Sequence, residues 1–150
     1  MVDYITDKGQ ICNELLTEYV KSADVYFCPP LTGRIDIESW VNKIYTNASV
    51  VIAEDGGRYI GCIFFYSNDT AEGKGYIAYL VVNSEYRGMG IAKTMLDTCI
   101  HISRDAGMRS INVYTYNPGA VALYKSRGFV QVSQVIDDDN LIQTFLIKQL

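Results

Sequence analysis

Histidine is nearly missing from this sequence: His101 is the only one, and Trp40 is the only tryptophan. The four cysteines, Cys12, Cys28, Cys62 and Cys99, include no C-x-x-C pair, and with His101 they make no zinc set at a familiar spacing. No metal is therefore expected. Cys62 and Cys99 stand within apolar stretches and read as small hydrophobes, which suits a reducing cytosol better than a disulfide scaffold. No two basic residues are adjacent, and 13 basic against 17 acidic residues leave a net charge of −4. That balance argues against nucleic acid as a partner, because duplex affinity rests on many phosphate contacts. No apolar run approaches the roughly 20 residues of a membrane span, and Asp3, Asp7 and Glu14 interrupt the stretch where a signal peptide would lie. A cytoplasmic protein with no membrane partner is the expectation.

What the sequence does have is material for a core. Nearly half of it, 49%, is hydrophobic, with 12 Tyr and 5 Phe, and 150 residues suffice for one domain spanning 1–150. A domain of this size buries ~68–70% of its unfolded surface. The charge is uneven: residues 1–75 hold 6 basic and 11 acidic side chains, residues 76–150 hold 7 and 6. A small anion, held by backbone N–H groups, belongs in the second half.

Asp7 followed by Gln10 resembles a capping box, and Ile11, Leu15 and Tyr19 then recur at helical spacing toward Ala23. Asp36 can cap a second helix with Ile37, Trp40, Val41 and Ile44 on one face. Ser49–Glu54, Arg58–Ser67 and Gly75–Val82 are strand-like, the first two joined by an Asp55-Gly56-Gly57 hairpin turn. From Gly90 to Ala106, residues Ile91, Ala92, Met95, Leu96, Cys99, Ile102 and Ala106 share one sector of a helix, with His101 on the polar side one turn from Asp97. Ser110–Tyr114 reads as a strand and Pro118–Arg127 as a short helix. Phe129–Ile136 and Asn140–Lys148 form a final hairpin. A strand, a long helix and another strand favour a parallel crossover, while the hairpins are antiparallel. The predicted class is α/β: a mixed, mostly antiparallel sheet flanked by helices, with a parallel crossover at its centre.

Two segments carry chemistry. Arg87-Gly88-Met89-Gly90-Ile91-Ala92 joins a buried strand to the long helix. Its glycines let the backbone turn tightly, and the helix start offers unpaired N–H groups and the positive dipole end, which suits a phosphate or pyrophosphate. A plain strand-to-helix turn is the alternative. A dinucleotide fingerprint fails because Lys93 stands where a third glycine is needed. The second segment runs from Asn117-Pro118 through Tyr124 to Gly128-Phe129. Asn117 suits an N-cap and Pro118 a first helical position, while Tyr124 suits a core ring whose hydroxyl needs a partner.

Together the two segments, in this order, resemble the GNAT N-acetyltransferase family from Ser49 to about Val132, and more loosely over the two leading helices. The resemblance implies an acetyl-CoA co-substrate whose pyrophosphate is held by Arg87, Gly88, Met89, Gly90, Ile91, Ala92 and Lys93. It places the pantetheine arm beside the backbone at Leu80 and Val82, with Asn117 bonding the same region. Tyr124 would lie near the thioester sulfur as general acid for the departing thiolate, and a strand N–H would stabilise charge on the carbonyl oxygen. Many relatives carry a Glu base where Ala78 stands here, so Tyr79, a water chain, Glu72 or Asp36 is left for that role. The acceptor side falls to Phe27–Ile37, the second helix, Tyr66 and Tyr114–Tyr116. Pro29-Pro30-Leu31 followed by Arg34 and the Lys43 helix resembles some bacterial members encoded near surface-sugar genes, and exposed Arg34 and Lys43 would either draw an anionic acceptor or stand as solvated charges. The expected reaction is transfer of acetyl to a small-molecule amine, an amino sugar among the candidates. The alternatives are a protein N-terminal or lysine acetyltransferase and a non-catalytic coenzyme A-binding module. Homodimerisation is left open.

Overall fold

Asp7 caps a turn, but not the turn its spacing predicts. In the computed structural model, which describes all residues Met1–Leu150, its carboxylate accepts from Gly9 N at 2.9 Å and closes a single 3-10 turn over Lys8–Gln10. The first helix, α1, begins later and spans Asn13–Ala23. The shift rotates the buried stripe to Leu16, Tyr19, Val20 and Ala23 and leaves Leu15 49% exposed. The second helix, α2, spans Ile37–Asn47 and buries Ile37, Val41 and Ile44, with Trp40 half-buried against Phe64 and Tyr79.

The strands are β1 (Val2–Ile5), β2 (Ser49–Asp55), β3 (Arg58–Tyr66), β4 (Lys74–Val82), β5 (Ser110–Thr115), β6 (Val130–Ile136) and β7 (Ile142–Gln149). They form one sheet in the order β1-β2-β3-β4-β5-β7-β6, parallel only between β4 and β5. This is the predicted class, with β1 added. The β2–β3 hairpin turns on Gly56 and Gly57 at φ 59° and 85°, positive at both central positions as a twist-matched two-residue turn requires.

The long helix α3 (Ile91–Asp105) crosses from β4 to β5, and α4 (Pro118–Ser126) follows β5. The buried face of α3 carries Ile91, Met95, Leu96, Cys99, Ile100 and Ser103, whereas Ala106 is exposed and Ile102 only half-buried. Helices α1 and α2 cover one face of the sheet over Val50, Ile52, Cys62 and Phe64. Helices α3 and α4 cover the other over Val51, Ile63, Ile77, Ile111 and Leu146. Opposite α4, the face of β5, β7 and β6 is left without a helix, so Tyr114 and Val130 are 49% and 66% exposed. No helix is long and apolar enough to cross a membrane.

Candidate active site

The site exists because β4 and β5 part company. Their parallel ladder runs only from Lys74↔Ser110 to Ile77↔Val113. On the other side of β4, Phe65 pairs with Ile77 and Phe64 with Tyr79, so Ala78 is an extra residue in β4. A bulge of this kind bends its strand and disturbs the ladder. It also breaks the alternation of side chains: Ile77 and Leu80 pack toward α3 and α4, Ala78 and Tyr79 toward α1 and α2. Two cavities of about 440 and 530 Å³ open beside the splayed strands and share Tyr26, Phe27, Leu80, Asn117 and Ala120 as walls.

The first cavity is lined by Leu80, Val82, Arg87, Gly88, Gly90, Ile91, Ala92, Lys93 and Asn117, nearly the whole set expected to hold acetyl-CoA. Gly88 and Gly90 lie at φ 81° and 79°, a left-handed conformation that favours glycine. Gly90 is the N-cap of α3, and no side chain caps its first turn. The initial N–H groups therefore face the cavity uncapped, between the cations of Arg87 and Lys93. That arrangement fits a pyrophosphate. Met89 departs from the expectation: it is 64% exposed and does not line the cavity. Arg87 donates Nε–H to Val82 O at 3.2 Å, and its guanidinium lies 5.0 Å from the Tyr26 ring centroid, so its charge is fixed in place. Asn117 accepts from Gly119 N at 2.8 Å through Oδ1 as the cap of α4, while its Nδ2 makes no protein hydrogen bond.

The second cavity is walled by the α1–α2 connection, by β4 from Tyr76 to Leu80, and by Val113–Tyr116. Tyr124 lines this cavity and not the first. Its ring is 3% exposed and packs on Phe129 at 5.2 Å, and its hydroxyl has no protein partner, contrary to what its core position suggests. Burial pushes its pKa up, with the Cys99 and Tyr76 side chains adding to the effect, so the hydroxyl stays protonated. A protonated hydroxyl with no protein acceptor is free to donate.

The candidate bases fare less well. Burial pushes the Tyr79 hydroxyl up as well, and its ring is stacked between Phe27 and Phe64 at 4.9 and 5.1 Å. Glu72 pairs with Lys74 at 3.0 Å, and Asp36 accepts from Ser39 Oγ at 2.7 Å; neither lines either of these two cavities. No Asp or Glu lines either cavity. On the acceptor side, Phe27, Leu31, Arg34 and Tyr114–Tyr116 line the second cavity, whereas Tyr66, Lys43 and the rest of α2 do not. Arg34 is folded back on its own loop, donating Nε–H to Pro30 O at 2.7 Å. His101 pairs with Asp105 at 3.2 Å instead of Asp97, which takes Arg127 at 2.8 Å.

Asp24 is the functional side chain that local sequence patterns miss. Nearly buried, it accepts from Leu31 N at 2.7 Å and Thr32 N at 2.9 Å, and from the Thr32 hydroxyl. Burial opposes its charge, but the Thr32 hydroxyl and the two backbone N–H groups outweigh it and hold its carboxyl below the usual range. The loop that walls the acceptor cavity is anchored by this one carboxylate. No three His, Cys, Asp or Glu side chains stand together as a metal site.

Residues 11–129 match the family model described as acetyltransferase (GNAT) family. Among curated proteins, the chain is 29% identical over 141 residues to N-alpha-acetyltransferase MAK3 of Arabidopsis thaliana, covering 86% of this chain and 71% of that protein. It is 33% identical over 101 residues to N-acetyltransferase 8 of Rattus norvegicus, covering 64% of this chain and 44% of that one. These two relatives are eukaryotic and give no support to the bacterial resemblance of the Pro29–Lys43 segment. Among solved structures, a chain of the NatC complex bound to Gag peptide and CoA matches with a TM-score of 0.79 at 23% identity, covering 99% of this chain and 98% of that one. Ard1 from Thermoplasma volcanium matches at 0.77 and 15%, covering 99% and 97%. With the glycine cradle and the splayed strands already in view, the sequence match decides the matter: the chain belongs to the GNAT family and is an acetyl-CoA-dependent N-acetyltransferase.

Proposed function

We propose that the acceptor is the α-amino group of a polypeptide, in place of the small amine expected from sequence. The observation that carries this reading is that no carboxylate lines either cavity. Without a strong base, the enzyme depends on the fraction of acceptor already neutral. An α-amine with a pKa of about 7.7–8.0 is roughly one-tenth neutral at pH 7, whereas a lysine amine near 10.4 is neutral well below ~0.1% of the time. The environment therefore favours an α-amine over a lysine side chain.

Two further features favour a polypeptide over an amino sugar. Tyr76, Tyr114 and Phe145 form a stepped aromatic row, with centroids 6.4 and 4.5 Å apart, that leads from the acceptor cavity onto the helix-free sheet face. A chain trailing behind its amine can lie along such a row; a monosaccharide has nothing to put there. The Arabidopsis relative and an Schizosaccharomyces pombe protein, 30% identical over 89 residues, are both named N-alpha-acetyltransferases.

In the reaction the acceptor nitrogen attacks the thioester carbonyl carbon, a C–N bond forms and the C–S bond breaks. The backbone of β4 beyond Ile77, released from β5, supplies N–H groups for the carbonyl oxygen. Tyr124 gives its proton to the departing sulfur, and water takes the proton lost by the amine. Arg87, Lys93 and the first turn of α3 hold the phosphates away from the chemistry.

Thiol release from acetyl-CoA, measured across a panel, tests the proposal. Peptides with a free N-terminus should turn over, and the same peptides blocked at the N-terminus but carrying lysine should not. Turnover of amino sugars with none of the free peptides would sink the reading.

A further inference from the structure

Arg87 is a cation without a counter-ion. No ion pair of the structure includes it, and its neighbour Glu85 is taken by Arg58 at 3.2 Å. Two groups fix its side chain, and neither carries a charge. The Val82 carbonyl accepts its Nε–H at 3.2 Å, and the Tyr26 ring centroid lies 5.0 Å from Cζ. Its terminal N–H groups make no protein hydrogen bond, and the side chain lines the first cavity.

The ring comes from the other layer of the molecule. Tyr26 ends the 3-10 turn Asp24–Tyr26, which continues α1, and it packs against the core under α1 and α2. The loop it holds leads into α3, which covers the opposite face of the sheet. A second bond ties α1 to the start of the same loop: buried Tyr19 donates its hydroxyl to Oδ1 of buried Asn83, just beyond β4, at 2.8 Å. Tyr19 and Tyr26 are seven residues apart, about two turns of helix, so one side of α1 and its extension grips the loop at both ends.

A carboxylate in the place of the ring would also hold Arg87, but it would repel an incoming phosphate. A ring face holds a cation without adding an anion. A side chain already immobilised also loses less freedom when its ligand arrives. We infer that Tyr26 is a positioning residue for acetyl-CoA: its ring presets the Arg87 guanidinium at the anion cradle. Because Tyr26 also walls the second cavity, a side chain of the acceptor chamber sets the affinity for the donor. The inference rests on the reading of the Arg87–Lys93 segment as the pyrophosphate cradle.

A double-mutant cycle tests it, with acetyl-CoA titrated by calorimetry into the parent, Tyr26→Leu, Arg87→Ala and the double variant. Tyr26→Leu should weaken binding roughly two- to fivefold, the size of an exposed cation–π contact. With Arg87 already replaced, the same change should do nothing further. Tyr26→Phe keeps the ring face and should bind acetyl-CoA as tightly as the parent. An equal loss from Tyr26→Leu in both backgrounds would make Tyr26 a plain wall of the cavity and overturn the inference. A Tyr26→Phe protein as weak as Tyr26→Leu would overturn it too, by moving the effect to the hydroxyl. Unchanged or tighter binding in Tyr26→Leu, with Arg87→Ala weakened, would overturn it and leave the cradle standing. If Arg87→Ala binds like the parent, cradle and inference fall together.

Discussion

Tyr86 donates its hydroxyl to Asp55 Oδ2 at 2.6 Å, tying the segment before the Arg87–Gly90 loop to the turn between β2 and β3. The bond holds the Asp55 carboxyl below the usual carboxylate range. A group depressed in this way contributes stability that is present above its unfolded pKa, about 3.9, and lost as the pH falls through the lower folded value. Thermal melting of the parent and Tyr86→Phe should therefore differ above about pH 5 and converge in stronger acid. A difference that grows as the pH falls would assign the bond another role.

Gly90 tests the anion cradle. A Cβ there would meet nothing within 4 Å, so substitution strains the backbone at φ 79° without a clash. Gly90→Val should cost about 1–2 kcal/mol of stability and abolish acetyl-CoA binding, because the N–H groups lose their aim. Arg87→Ala should weaken binding modestly and flatten its salt dependence. Calorimetric titration of both variants separates backbone from charge.

Tyr124→Phe should lower turnover by roughly 10²-fold or more while leaving acetyl-CoA affinity unchanged. Its hydroxyl has no protein partner, so the melting temperature should hold. Because burial raises the Tyr124 pKa, the parent rate should not fall with loss of this proton until well above pH 10. Full activity in the Phe variant would reduce Tyr124 to a core ring.

Asp24→Asn replaces an acceptor by an N–H₂ group facing the Thr32 donors. The loop bearing Phe27 and Leu31 should loosen, raising the acceptor KM by about tenfold with acetyl-CoA affinity intact. In the parent the depressed Asp24 carboxyl keeps the loop in place above about pH 4, and the hold weakens as the pH drops through its folded value. Equal losses for both substrates would mean general destabilisation.

What could be read from sequence was local. The glycine pair at 56–57, the amphipathic α3, the Arg87–Ala92 loop and the Asn117 cap are each specified by residues within a turn or two of one another. The bulge at Ala78 was not legible, because it shows only in the register of β4 against β3. Nor was β1, whose Val2–Ile5 pairs with residues about fifty positions away. Asp24 looks like any helix-end acid until Leu31 and Thr32 fold back upon it. Of the two cations that suggested an anionic acceptor, Lys43 lies outside both cavities, and Arg34 lines the second but spends its Nε–H on its own loop carbonyl at Pro30. The acceptor class is not legible locally, because it depends on side chains gathered from four separated segments.

The walls common to the two cavities carry a kinetic meaning. Phe27, Leu80 and Asn117 belong to both, so the occupant of either cavity touches groups that shape the other. With one chamber full, its neighbour is finished on that side. On the reading proposed above, donor and acceptor reside together on the protein, and the acyl group is expected to pass between them without a stop on a side chain. Initial-rate lines for the two substrates should intersect, and the substrate seated between α3 and β4 should enter first and leave last.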